Sequence, residues 1–591
     1  MARRRPISAL HAPVERRSPL VDPRGGDIEA DASSPDRRSL LAIAGNLLAE
    51  ISLPKLAAAL SLLVILPALL LGAAPLLASV WLSKVSSTPN AGVIAASATI
   101  VILIALAWFG GRPLLRVVES SFWSLNAMAI QPVYVACREG LLHLGARATA
   151  ADATEARKAR ARAVAKILSG IMLCALSLLV IWLVWPSTRW VARLGDLRAV
   201  HRLVVPALAN ATVLGGAYLA IAALAWGIAD GTMPQPRELT AFRSPGDFVR
   251  SWRVAHLSDL HVVGERFGFR LGSGRAGPKG NGTFLAALRQ LDELHRRAPL
   301  DAIVITGDLT DAGTSAEWAV LLEALEAFPR LTELMIAVPG NHDVNVVDRA
   351  NPARLDLPTS PKKRLRQVRT LSFLAWMQGR HTCVVDVERK RVACTLDGTL
   401  APYACHLRAF ANKGSRRLAK QTDAAWQMAF PMVWPPAQDD GLGIIALDSN
   451  AETHFSFTNA LGLVPADQVN ALDAAIAQYP RAAWIVALHH HVVEHPKLGH
   501  AFAERIGTTL INGNWFARRL LHVGDRAVVM HGHRHIDWMG ECGDLRILSA
   551  PASTMPAKGR TDVYFYVHTV GVDGAGRIGL AKPERVDVIA G

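Results

Sequence analysis

The sequence predicts an α/β domain preceded by an all-α membrane region. Three observations carry that prediction. Long apolar stretches crowd the chain before about residue 230. Beyond them, short apolar runs alternate with segments of helical periodicity. Several of those runs end in clusters of His, Asp and Asn, as strands do when they deliver ligands to one edge of a sheet.

The 591 residues leave room for several domains. A hydrophobic content of 51% with 19% charged residues averages two unlike halves. Residues 1–50 are rich in Arg, Pro, Asp and Ser without apolar periodicity, and read as a disordered basic tail. They are not a signal peptide, because the first apolar run starts only after about fifty residues. Region 51–230 reads as transmembrane, with apolar stretches at 56–82, 92–109, 167–184 and 203–228. Each is near the ~20 residues that cross a bilayer as a helix. Pro67 and Pro75 are expected to kink or split the first. Trp182, Trp185 and Trp190 close the third as an interfacial belt. Stretch 117–137 is apolar but carries Glu119, Asn126 and Gln131, and reads as an interfacial helix or as a further span.

Orientation follows the basic residues. Arg37, Arg38 and Lys55 precede the first stretch, and nine Lys or Arg from Arg112 to Lys166 separate the second from the third. Both belong inside, which places the α/β domain on the cytoplasmic face of a multi-pass inner-membrane protein. Arg189, Arg193, Arg198 and Arg202 run against that pattern. The net charge of +15 fits the positive-inside bias and contact with a lipid bilayer. It shows no basic stripe with interleaved aromatics, so no nucleic-acid partner is expected. The six cysteines contain no CxxC and imply no disulfide framework. Cys383, Cys394 and Cys405, between His381 and His406, read as buried free thiols before a zinc site.

A Pro- and Arg-containing linker occupies 231–250, and the α/β domain runs over 251–591. Strands are expected at 252–257, 301–306 and 334–338, and helices at 282–298 and 315–328. An insertion at about 348–438 opens with Lys362, Lys363, Arg364, Arg366 and Arg369 and holds Phe373, Trp376, Trp426, Phe430 and Trp434. Such a segment suits a pocket cap, a lipid-headgroup contact or a helical decoration.

Five motifs punctuate this half: Asp259-Leu260-His261, Gly307-Asp308-Leu309-Thr310-Asp311, Gly340-Asn341-His342-Asp343, His489-His490-His491 and Gly532-His533-Arg534-His535. Together they hold enough oxygen and imidazole donors for two divalent cations. Imidazole and amide oxygen favour Mn, Fe or Zn over Ca. In this order the motifs resemble the calcineurin-like metallophosphoesterases, over about residues 250–555. The resemblance implies a β-sandwich of two mixed sheets flanked by helices. It implies one metal on Asp259, His261 and His535, a second on Asn341, His489 and His533, and Asp308 bridging them. It further implies attack on phosphorus by a metal-bridging hydroxide, His342 protonating the leaving oxygen, and Asp311 orienting His342. His531 reads as a strand-end residue.

Asp448-Ser449-Asn450 and the run from Gly462 to Gln468 look most like the cyclic-nucleotide phosphodiesterase branch. The expected activity is therefore a membrane-anchored phosphodiesterase acting on a nucleotide. The alternatives are hydrolysis of a phospholipid or lipid-linked pyrophosphate, and a membrane sensor with a regulatory phosphoesterase domain. Transport is disfavoured, because the four apolar stretches carry essentially no charge at their centres.

Overall fold

The computed structural model describes residues 18–28, 57–58, 60–86, 131–148, 154–264, 281–348, 354–356, 361–495, 507–556 and 561–589. The expected span at 92–109 lies outside them, as does 117–130.

Helices α1 (Leu66–Ser86), α2 (Gln131–Ala148), α3 (Glu155–Val184) and α4 (Val204–Gly231) form the helical region. Three of them are long and apolar enough to cross a membrane, by length and composition only: Leu66–Ser83, Arg157–Ser187 and Arg198–Gly231. Small residues let them approach closely. A Cβ on Gly170 would stand 2.5 Å from the Ala223 carbonyl, and one on Gly72 would overlap Ala207. Leu70, Leu176, Leu183 and Ile221 are among the large apolar side chains left exposed. The first stretch is not split by proline. Pro75 lies inside α1, and a π-helical turn at Ser61–Ile65 precedes Pro67.

The α/β half holds two mixed sheets, as the sequence predicts. The larger has nine strands: β1 (Arg237–Glu238), β5 (Cys383–Asp386), β6 (Arg391–Thr395), β7 (Met432–Trp434), β8 (Leu442–Ala446), β9 (Ala483–Ala487), β10 (Ala527–His531), β11 (Trp538–Cys542) and β12 (Leu545–Ser549). Their spatial order is β1-β11-β12-β10-β9-β8-β7-β5-β6, with β8, β9, β10 and β12 parallel. The smaller sheet contains β2 (Arg250–Leu257), β3 (Ala302–Ile305), β4 (Met335–Ala337), β13 (Tyr564–Val572), β14 (Ile578–Leu580) and β15 (Glu584–Asp587). There β2, β3 and β4 are parallel and β13 is antiparallel to β2.

Alternation along the strands divides the core. Ala483, Ile485 and Ala487 of β9, with Val528 and Met530 of β10, join Val254, Ile303 and Ile336 in one apolar cluster. Trp484, Val486, Ala527 and Val529 point the other way, against Leu472 and Phe516. Both faces of these strands are covered, which is why they read as unbroken apolar runs.

Three segments differ from expectation. The linker supplies an edge strand, since Arg237–Glu238 pairs with β11. Residues 18–28 of the supposed tail lie on the α/β domain, where Leu20, Val21 and Ile28 pack on its core. There Val21 N–H donates to Ser372 Oγ at 2.8 Å, and Asp27 forms a buried ion pair with Arg369. The insertion is not a decoration, because β5, β6 and β7 extend the large sheet. Its basic run lies on helix α7 (Pro361–Gln378), where Lys363, Arg366 and Arg369 are buried. Those side chains form no headgroup-binding surface. The cysteines are free, but Cys394 and Cys405 are exposed rather than buried.

Candidate metal centre

Parallel strands of both sheets end at one edge, and each expected ligand follows a strand end. Asp259 and His261 follow β2, Asp308 follows β3, Asn341 follows β4, His489 follows β9, and His533 and His535 follow β10. The backbone there is strained. Six described non-glycine residues have positive φ, and five are Asp259, His261, Asp308, His533 and His535. Such conformations cost energy and persist where surrounding structure over-determines them, typically at functional sites. Gly307, at φ 90°, allows the next approach: a Cβ there would sit 2.5 Å from His489 Nδ1.

The side chains gather as two groups around Asp308. Asp259, His261 and His535 form one; Asp308, His489 and His533 form the other; within each, the donor atoms lie within 4.8 Å of one another. Asn341 Oδ1 is 3.1 Å from His489 Nε2, joining the second group. Asp308 Oδ2 lies 3.4 Å from His489 Nε2 and 3.6 Å from His261 Nε2, so it faces both.

The donors fit bound cations. His489 Nδ1–H donates to the Thr306 carbonyl at 2.7 Å, which leaves the Nε2 lone pair facing other acceptors. His261 Nδ1–H likewise donates to Asp311 Oδ1 at 3.1 Å. Burial lowers the pKa of His261 and of His533, so both stay neutral as ligands must. Burial opposes ionisation of Asp308, yet His489 and His342 hold it well below the usual carboxylate range. Burial also opposes protonation of His489, but Asp308 outweighs it and lifts the ring to about 9. Converging acceptors that draw a proton this strongly mark a site built for positive charge.

A third cluster, His261, Asp311 and His342, is already hydrogen-bonded within itself. His342 Nδ1–H donates to the Asp311 backbone carbonyl at 2.6 Å. Asp311 therefore orients His342 through its main chain, while its carboxylate orients His261. The expected contact ran through the Asp311 carboxylate, whereas this hydrogen bond is to the Asp311 backbone carbonyl.

Other residues were missed. Asp343 accepts from Gly340 N at 2.8 Å, Thr310 N at 2.9 Å and Thr310 Oγ1 at 2.7 Å, tying two ligand loops together. Its place in the Gly-Asn-His-Asp motif was the available signal. Arg366 donates to the Val344 carbonyl at 3.2 Å and Arg369 to the Gly313 carbonyl at 2.9 Å, so α7 braces the same loops. Ser449 Oγ accepts from the backbone N–H of both His489 and His490 at 3.2 Å, and Asn450 Nδ2 donates to the Pro339 carbonyl at 3.1 Å. The Asp-Ser-Asn motif thus supports the ligand loops. His531 is buried at the end of β10, as read.

The loop after Asp311 is closed by Glu317 at the start of helix α6 (Ser315–Glu326), which accepts from Ala312 N at 3.0 Å and Thr314 N at 2.9 Å. Burial pushes its carboxyl up to about 7, against an ordinary 4.5. A raised folded-state pKa gives stability that is full below pH 4.5 and lost as pH rises through about 7. Glu317→Gln keeps the acceptor and removes the titration. Its stability relative to the native chain is expected to improve by up to roughly 3 kcal/mol between pH 5 and pH 8. Unfolding of both proteins across that range measures it, and parallel pH profiles would contradict it.

Residues 253–413 match the model of the calcineurin-like phosphoesterase family. Over those residues the chain is similar to a calcineurin-like phosphoesterase domain, and that match supports a phosphoric ester hydrolase. The match includes Asp259, His261, Asp308, Asp311, Asn341 and His342; His489, His533 and His535 lie beyond it and join the site by geometry. No curated protein matches the sequence. Similar solved structures include a protein assigned as a 5′-nucleotidase from Staphylococcus aureus, at 13% identity and TM-score 0.31, covering 57% of this chain and 55% of that one. A dimetal phosphatase from Danio rerio matches at 11% identity and TM-score 0.32, covering 57% and 99%. The purple acid phosphatase PPD1 of yellow lupin (Lupinus luteus) matches at 12% identity and TM-score 0.26, covering 56% and 51%. The chain thus spans about half the length of the first and third.

Proposed function

We propose that the chain is a membrane-anchored, metal-dependent phosphodiesterase. The carrying observation is the convergence of Asp259, His261, His535, Asn341, His489 and His533 into two groups that share Asp308. Two divalent cations, Mn, Fe or Zn, would supply charge neutralisation at phosphorus and acidify a water. Asp259, His261 and His535 would hold one, and Asn341, His489 and His533 the other. The Asp311 carbonyl fixes His342 Nδ1–H, leaving Nε2 as the proton donor to the leaving oxygen.

A nucleotide diester is the substrate class favoured by the sequence resemblance. The lipid-substrate alternative loses support with the burial of Lys363, Arg366 and Arg369 on α7.

Residues 18–28 dock on the catalytic domain, so the chain between them and α4 crosses a membrane an even number of times. Helices α1, α3 and α4 would supply three crossings, and the apolar stretch 92–109, outside the described residues, is the sequence expectation for a fourth. A cytoplasmic site follows from the basic residues before the first span and between the second and third, against which Arg189, Arg193, Arg198 and Arg202 count.

The test uses the full-length protein in detergent with Mn²⁺. An aryl phosphodiester is expected to be cleaved with higher kcat/KM than the matching monoester. Preference for the monoester, or no turnover of either, would sink the reading. A compartment-specific reporter after Gly591 checks orientation; activity on the far side would reverse the topology.

A further inference from the structure

Helices α2 and α4 meet the catalytic domain across a patch of buried charge. Asp230, Arg138 and Glu139 are 1%, 5% and 3% exposed. Tyr134 Oη donates to Asp230 Oδ2 at 2.9 Å, and Arg138 Nη1 donates to the same oxygen at 3.1 Å. Arg138 Nη2 lies 3.1 Å from Glu139 Oε1 and 3.6 Å from Glu494 Oε1. Glu494 belongs to the catalytic domain, on the loop that begins at His489. It accepts from Arg534 Nη1 at 2.8 Å and faces His491 Nε2 at 3.3 Å. Arg534 stands between His533 and His535.

This chain of contacts ends on a strained turn of the site. His533 has φ 74° and His535 φ 52°. Side chains with a Cβ hold such angles only where neighbours impose them. Arg534 supplies that restraint, because its Nε donates to Thr508 Oγ1 at 3.1 Å while its Nη1 is held by Glu494. Glu494 is in turn fixed between two guanidinium groups, one from each half of the molecule. Without Arg138 it would keep one cation and gain freedom to rotate. Removing one partner from a buried ion pair leaves charge uncompensated and is destabilising.

We propose that Arg138 is a positioning residue of the phosphoesterase centre. Through Glu494 and Arg534 it holds the His533–His535 turn in a ligating shape, so the helical region completes the site as well as tethering it. The inference rests on the metal-dependent reading above.

The test compares full-length native protein with Arg138→Gln, Arg138→Lys and Tyr134→Phe in lipid nanodiscs. Mn²⁺ binding is read by equilibrium dialysis, and kcat and KM with the aryl diester. Arg138→Gln is expected to need about tenfold more Mn²⁺ for half-saturation, at the low end for groups that orient metal ligands. Its kcat falls while KM stays within about twofold. Lysine restores part of both losses, and Tyr134→Phe shows a smaller loss in the same direction. Unchanged Mn²⁺ affinity and kcat per folded molecule in Arg138→Gln, with only thermal stability lowered, would overturn the proposal. If that variant does not fold, unchanged Mn²⁺ affinity in Tyr134→Phe overturns it. Native protein that binds Mn²⁺ but hydrolyses neither ester refutes the phosphodiesterase reading, while dialysis still decides the role of Arg138.

Discussion

Asp308→Ala is expected to lower bound Mn²⁺ from two ions per chain to one or none and to cut diester turnover about a thousandfold. The carboxylate faces both donor groups, with Oδ2 3.4 Å from His489 Nε2 and 3.6 Å from His261 Nε2. Either group alone offers three neutral or singly charged donors; the shared anion is what makes two adjacent cations tolerable. A metal pair contributes several kcal/mol of charge stabilisation at phosphorus, and each 1.36 kcal/mol is a factor of ten in rate. Asp308 also accepts the His342 backbone N–H at 2.9 Å, so alanine frees the loop that carries the proposed proton donor. Asp308→Asn separates the two effects, since it keeps an acceptor for His342 N–H and removes the charge. It is expected to lose metal nearly as completely as alanine. Dialysis against Mn²⁺ with metal analysis, alongside turnover, measures both. Two ions retained in Asp308→Ala would remove the bridging role.

The candidate ligands were legible because metal-binding groups are particular residue types at the ends of particular strands. Asp259, His261, Asp308, Asn341, His489, His533 and His535 announce themselves by chemistry and spacing. What surrounds them was not legible, because bracing is done by groups that any loop contains. The Asp311 carbonyl that orients His342 is a backbone atom and leaves no mark in the sequence. Arg366 and Arg369 looked like a solvated charged face, and only the fold reveals Asp356, Asp27 and two loop carbonyls opposite them. The docking of Asp27 on Arg369 joins residues 342 positions apart, beyond the reach of local pattern. Short strands were lost for the same reason: Arg237–Glu238 has no periodicity of its own and is defined by its partner β11.

His342→Ala is expected to keep both metal ions and most of the substrate affinity, and to lose roughly 10²–10⁴-fold in kcat, the usual share of a positioned general acid. The ring donates through Nδ1 to the Asp311 carbonyl and stacks edge-on to His261 at 4.6 Å between centroids, so it is held beside the ligands without joining either metal group. At 9% exposure it lies nearer the solvent than Asp259, Asp308 or His489. Burial opposes its protonation, but Asp308 and Asp311 outweigh burial and raise its pKa above the ordinary 6.5. The size of the defect should depend on the leaving group. A nitrophenolate departs without help, so His342→Ala should cost least on a nitrophenyl diester and most on an alkyl or sugar diester, whose alkoxide needs the proton. A plot of log kcat against leaving-group pKa is therefore expected to be steeper for the variant than for the native protein. Equal slopes would assign His342 to binding or to ligand support, and would leave the leaving oxygen to be stabilised by the metal donors alone.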